Sequence, residues 1–266
     1  MPRSLRPLAL LASTSLLVLA GFVTRPDAAP PGPHAEGPPA RATVLAVLAF
    51  ENNTGQTRYD VLGKGLANMM TSDLTAVPQL QLVEREQLQA LIDELELQQT
   101  AYFDSTTALQ VGMFVGAEYV VIGSVAAVSP EVRLDTRIVR IETAEVVQAA
   151  SVVGQENALF DLQQRLADEL IAGIDVVLSP QERDALRAQQ EANRIDNVET
   201  MLLYSEALDA LDREDYVRAI ELLNRVREDA PASQATQAAM ELAQERAQDR
   251  LEDEARGRLN RLIRGL

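Results

Sequence analysis

The chain contains no cysteine, no tryptophan, one histidine (His34) and one lysine (Lys64). Without a thiol there is no disulfide framework, no thiolate nucleophile and no zinc-thiolate site, so stability has to come from packing. A lone histidine in a proline-rich stretch leaves no means of building a Ser-His-Asp triad or a multi-histidine metal site within one chain. Acidic residues outnumber basic ones 40 to 24, a formal net charge of −16. A phosphate backbone is bound by clustered cations that displace counterions, so nucleic acid is excluded as a partner. Aromatic residues make up only 4%, too few for the interfacial girdles of a membrane barrel. The most apolar run, Leu8 to Val23, is shorter than the roughly 20 residues that span hydrocarbon.

What is present begins with an export signal. Arg3 and Arg6 precede Leu8 to Leu19, and Val18 and Ala20 fill the small-residue positions before a cleavage point. Residues 1–20 therefore read as a signal peptide and the mature chain as exported. Leu19-Ala20-Gly21 has the form that precedes a lipidated cysteine, but Phe22 follows, so no direct lipid anchor of that kind is expected. Residues 21–42 are rich in Pro, Ala and Gly and read as an extended linker. The remainder fits one mid-sized domain with an appendage, divided where Ser179-Pro180 begins a charged, helix-forming composition: residues 43–178 and 179–266.

In 43–178 the short apolar run Val44 to Phe50 reads as a buried strand delivered into the turn-forming Asn52-Asn53-Thr54-Gly55. Leu66, Met69, Met70, Leu74 and Val77 have helical spacing, stopped by Pro78. Leu80 to Val83 reads as a strand joined to the first by a parallel crossover. A helix is expected from about Glu86 to Gln98, then a short one capped at Asp104 and Ser105 and carrying Ala108, Val111 and Phe114. Tyr119 to Val125 reads as a central strand, and Val132 to Ile138 alternates as a half-wet one. Val146 to Gly154 is its hairpin partner, and Leu159 to Val177 carries the stripe of a helix of about 20 residues.

Four punctuated segments recur together here: Phe50-Glu-Asn-Asn-Thr-Gly-Gln, Val83-Glu-Arg-Glu-Gln-Leu, Glu118-Tyr-Val-Val-Ile-Gly-Ser and Glu142-Thr-Ala-Glu-Val-Val. Over Val44 to Val177 they resemble the curli-assembly CsgG family. The resemblance implies an α/β (α+β) sandwich with a mixed sheet of about five strands flanked by helices. It also implies a non-enzymatic envelope protein, periplasmic or peripherally associated with the outer membrane, that works by homo-oligomerisation and by binding other envelope proteins, without cofactors. Relatives include a curli secretion pore, activators of peptidoglycan synthases, flagellar-assembly proteins and the N-terminal domain of TolB. Where the family has Gly in its Thr-Gly-Glu turn, this chain has Ala144. A residue with a Cβ is disfavoured at positive φ, so a turn of another type is expected. Glu199 to Pro231 resembles one tetratricopeptide repeat. Such a helical pair cannot bury its apolar face alone, so it should lean on Gln181 to Arg194, on Ser233 to Arg264, or on another subunit.

Each chemical motif has a plainer structural reading. Gly63-Lys64-Gly65 lacks the spacing of a phosphate loop and reads as close helix packing. Glu84 and Glu86 around Arg85 suit the positive end of a helix dipole better than acid–base work. Arg256, Arg258, Arg261 and Arg264, without acidic neighbours, suit a helix C-terminus. A pore would need an added amphipathic hairpin of about 9 to 11 residues per strand after Gly123-Ser124, and Val132 follows too soon. The candidate partner contacts are Glu51, Asn52, Asn53, Thr54, Glu84, Arg85, Tyr204 and Tyr216. No catalytic or metal residue stands out.

Overall fold

The computed structural model describes residues 41–95, 105–128 and 131–264; the signal peptide, nearly all of the linker and the Asp104 cap lie outside them. The described residues hold a six-stranded mixed sheet. Its strands are β1 (Thr43–Val47), β2 (Glu51–Asn52), β3 (Leu80–Leu82), β4 (Tyr119–Ala127), β5 (Glu131–Arg140) and β6 (Glu145–Gln155). The order is β3-β1-β4-β5-β6, with β2 extending the β1 side of β4. β1 runs parallel to β3 and β4, and β4, β5 and β6 form an antiparallel meander.

The unbroken apolar character of β1 and β4 follows from burial on both faces. On one face Leu45, Val47, Val121, Val125, Leu134 and Ile138 pack under α1 (Leu62–Leu74) and α4 (Leu159–Gly173). On the other, Ala46, Leu48, Val120, Ile122 and Val139 pack under α2 (Arg85–Glu94) and α3 (Ser105–Phe114). Beyond Val139 these helices do not cover β5 or β6 on that second side, so residues 132–138 of β5 alternate buried Val132, Leu134, Thr136 and Ile138 with exposed Arg133 and Arg137.

Four local expectations need correction. β2 forms where the sequence reads only as a turn; two polar residues carry no strand periodicity. α4 spans 15 residues rather than about 20, because Asp175 takes a left-handed φ of 57° just past the helix end and leaves Val177 83% exposed. A short polar residue tolerates that conformation and stops the helix there. In α3, Ala108 and Val111 are buried but Phe114 is exposed, since a spacing of three rotates the face by about 60° per step in a helix of 3.6 residues per turn. Ala144 itself adopts φ 57° in the β5–β6 turn, so the turn keeps the conformation that favours glycine. Ala144→Gly is accordingly expected to raise the unfolding free energy by about 0.5–1 kcal/mol in urea titrations.

After α4 the chain is all helical: α5 (Pro180–Ala192), α6 (Val198–Asp212), α7 (Tyr216–Asp229) and α8 (Gln234–Arg264). Ser179 caps α5 through a reciprocal capping box with Glu182, and Asn197 and Asp215 cap α6 and α7 by accepting from backbone amides. Removing such a cap costs about 1 kcal/mol. α6 is buried nearly all round, the pattern of a helix with neighbours on several sides. Those neighbours include α7 and α8, and also α1 beside the sheet, a partner that no local sequence pattern names. One apolar cluster therefore runs from Leu45 in β1 through Leu62 and Met69 in α1 to Met201, Leu208 and Leu223.

Candidate functional site

The α1–α6 contact depends on small residues at its closest point. A Cβ on Gly65 would sit 2.1 Å from Ser205 Oγ, and one on Gly63 would sit 1.7 Å from the Phe50 carbonyl oxygen. Gly63-Lys64-Gly65 is thus a packing motif, as the spacing indicates. Between the glycines, the only lysine turns inward: Lys64 Nζ donates to Asp209 Oδ1 at 2.7 Å and to Asp212 Oδ2 at 3.0 Å. Arg85, at the start of α2, donates Nη1 to Asp212 Oδ1 and Nη2 to Glu86 Oε1 at 2.7 Å. Burial opposes the charge on Arg85, but Asp212 and then Glu86 outweigh it and hold its pKa above the ordinary value. Arg85 therefore bridges the sheet domain to α6 and not only its own neighbours. Glu84 is the exposed N-cap residue of α2, and its side chain makes no capping hydrogen bond.

A second polar group lies deeper. Asp73, on the buried stripe of α1, accepts from Asn193 Nδ2 at 2.8 Å and from Gln163 Nε2 at 3.4 Å. Asn193, itself fully buried at the end of α5, also donates to Ser72 Oγ at 3.0 Å and accepts from the Ala235 amide at 3.1 Å. One side-chain amide thus ties α1 to the start of α8. Burial pushes the Asp73 carboxyl up to about 7, although the bonds from Asn193 and Gln163 pull it down. Its trace in the sequence is an aspartate at the apolar position between Met69 and Val77.

The candidate contacts fall into four places rather than one. Glu51 and Asn53 line an open groove of about 380 Å³ on the uncovered side of the meander, with Ser124, Asp135, Arg137 and Ser151. Asn52 and Thr54 instead build the loop: Asn52 Nδ2 donates to the Gln56 carbonyl at 2.8 Å and to Asp60 Oδ1 at 2.6 Å, and its Oδ1 accepts from Thr54 Oγ1 at 2.6 Å. Arg85 stands at the α1–α6 seam through Asp212, with Glu84 exposed beside it. Tyr204 also belongs to that seam and, at 0% exposure, cannot touch a partner. Its hydroxyl accepts from Asn68 Nδ2 at 2.6 Å, and burial raises its pKa while that bond lowers it. Tyr216 lies half-buried at the α7 end of a groove of about 600 Å³ beside α8. Arg256 and Arg258 are not free of acidic neighbours, since they pair one turn back with Glu252 at 3.5 Å and Glu254 at 3.8 Å. Among the described residues no three His, Asp or Glu side chains cluster in a way that could hold a metal, and no helix is long and apolar enough to cross a membrane.

Residues 33–133 match the family model of the curli production assembly/transport component CsgG. The described part of that match carries β1 to the start of β5. Among solved structures, the chain is similar to the LpoB C-terminal domain from Salmonella enterica, with 20% identity over 44% of this chain and 86% of that one and a TM-score of 0.37. It is also similar to the lipoprotein GNA1162 from Neisseria meningitidis, at 13% identity over 52% and 99% of the two chains and a TM-score of 0.40. A third is the PelC dodecamer from Paraburkholderia phytofirmans, at 15%, over 52% and 91%, with a TM-score of 0.35. The search of curated proteins gave no match.

Proposed function

We propose that this chain is a non-enzymatic, exported envelope protein of the CsgG type, acting by self-association and by binding other envelope proteins. The CsgG match over residues 33–133 carries the reading. Lys64 and Arg85 are engaged in ion pairs with Asp209 and Asp212 and Tyr204 is fully buried, so these side chains are committed to packing. The groove lined by Glu51, Asn53, Asp135 and Arg137 is the face offered to a partner, since the helices leave it open. The tetratricopeptide-like pair α6–α7 serves on this reading as a brace for α1. The pore alternative is disfavoured because β4 ends at Ala127 and β5 begins at Glu131, leaving no inserted membrane hairpin between them. Regulation of a peptidoglycan synthase and a TolB-like role are compatible with the same surface.

A photo-crosslinking residue at position 53 or 137, in cells exporting the chain, is expected to give adducts with other envelope proteins, while the same residue at exposed position 241 on α8 gives none. Adducts absent from both groove positions would remove this face from consideration. Conductance of the purified chain in planar bilayers would favour the pore instead.

A further inference from the structure

From the exposed half of α8 we infer that the chain pairs with a second copy of itself, antiparallel, about a two-fold axis close to Ala255. The inference rests on the self-association part of the reading above and gives it a surface. α8 is 31 residues long, about 46 Å at 1.5 Å per residue. Its first turns are anchored by buried Ala235, Ala239, Met240 and Ala243, and Arg250 Nη1 donates to the Glu214 carbonyl at 3.0 Å. Beyond Arg250 none of its described side chains is buried. Yet Leu251, Leu259, Leu262 and Ile263 are there, each between 58% and 69% exposed. With Ala255 they lie within an arc of about 120° of the helix, since each residue advances about 100°. A stripe of this kind facing water marks an unfilled contact.

Charge specifies the occupant and its direction. Glu252 and Glu254 precede Ala255, while Arg256, Arg258 and Arg261 follow it with no acid among residues 255–264. An antiparallel pair centred on Ala255 sets Leu251 beside Leu259 of the second copy. On one flank it brings Glu254 within about one turn of Arg258 of that copy, and on the other flank it does the same for Glu252 and Arg256. Each contact occurs twice by symmetry, as an isologous interface requires. A parallel pair would instead bring Arg258 beside Arg256 of the second copy and Glu254 beside Glu252, like charges that repel. Ala255, small and at the crossing, lets the two helices approach closely. The intrahelical pairs Arg256–Glu252 and Arg258–Glu254 are exposed surface pairs and are easily exchanged for those across the axis.

Because the chain has no cysteine, single thiols report the geometry cleanly. In the full exported chain, Ala255→Cys is expected to form a disulfide-linked dimer on mild oxidation, whereas Asn260→Cys, on the opposite side of the helix, and Leu259→Cys, off the axis, stay monomeric. Sedimentation equilibrium is expected to give a dimer for the unaltered chain and a monomer for both Glu252→Arg/Glu254→Arg and Arg256→Glu/Arg258→Glu. Mixing the two charge variants is expected to restore the dimer. All these positions are exposed, and circular dichroism checks that the fold is kept. Equal crosslinking at 255, 259 and 260, or masses that neither variant alters, would overturn the inference. Crosslinks from position 53 to envelope proteins, persisting in the monomeric variants, would leave the partner-binding reading standing without it.

Discussion

Asp212→Ala is expected to lower the unfolding free energy by about 3 kcal/mol, the lower end of what removing one partner from a buried charge pair costs. The reason is arithmetic of charge: Asp212, 7% exposed at its side chain, faces Lys64 and Arg85, both largely buried. Its removal leaves Arg85 with only the half-exposed Glu86, while Lys64 keeps Asp209. The comparison variant is Glu199→Ala, which breaks the 2.5 Å pair with Arg58 at a site where both side chains are more than half exposed. Such pairs are worth under about 1 kcal/mol. Urea unfolding followed by circular dichroism should therefore separate the two variants clearly. Equal effects would mean that the α1–α6 seam is as wet as the surface.

The second large effect is a pH dependence centred on Asp73. In the folded chain its carboxyl titrates at about 7, against 3.8 for the unconstrained group. Between those values the folded state holds a proton that the unfolded state has released. The stabilising share of this group is complete below pH 3.8, falls as pH rises, and is gone above about 7. A shift of this size corresponds to about 4 kcal/mol as an upper figure. Asp73→Asn keeps an oxygen for Asn193 and, with the Gln163 amide turned over, a partner for its own NH₂ group. The variant is expected to lose the downward slope between pH 4 and 7 and to be more stable than the unaltered chain at pH 7.5. The difference between the two pH profiles isolates this residue from the many surface carboxylates. Parallel profiles would show that water reaches Asp73 and keeps its pKa ordinary.

The fold was legible where one physical signal dominated. β1 and β4 are continuous apolar runs because both faces are covered, and β5 alternates because one is not. Turn and end positions were less legible. Ala144 takes a left-handed conformation that its Cβ disfavours, so propensity pointed the other way, while Asp175 tolerates the same conformation without marking in sequence where α4 stops. The docking of α6 on α1 left only indirect traces. The apolar surround of α6 showed that something covered it, but no local rule named α1. Lys64, Asp209 and Asp212 make sense only once those helices are adjacent. The candidate contacts chosen from loops and tyrosines divided accordingly: Glu51 and Asn53 reach an open groove, Asn52 and Thr54 hold their own loop, and Tyr204 is interior because its side of α6 packs on α1.

The central claim is that the six-stranded sheet with its helices and the helices after Pro180 form one cooperative body joined through α1 and α6. Hydrogen exchange read by mass spectrometry on the full chain tests it most directly, since it measures opening free energies segment by segment. The amides of α1, β4 and α6 are expected to share one opening free energy, equal to that of global unfolding, and Asp212→Ala should lower all three together. Exchange of α6 at a distinctly lower free energy, with α1 and β4 still protected, would contradict the account.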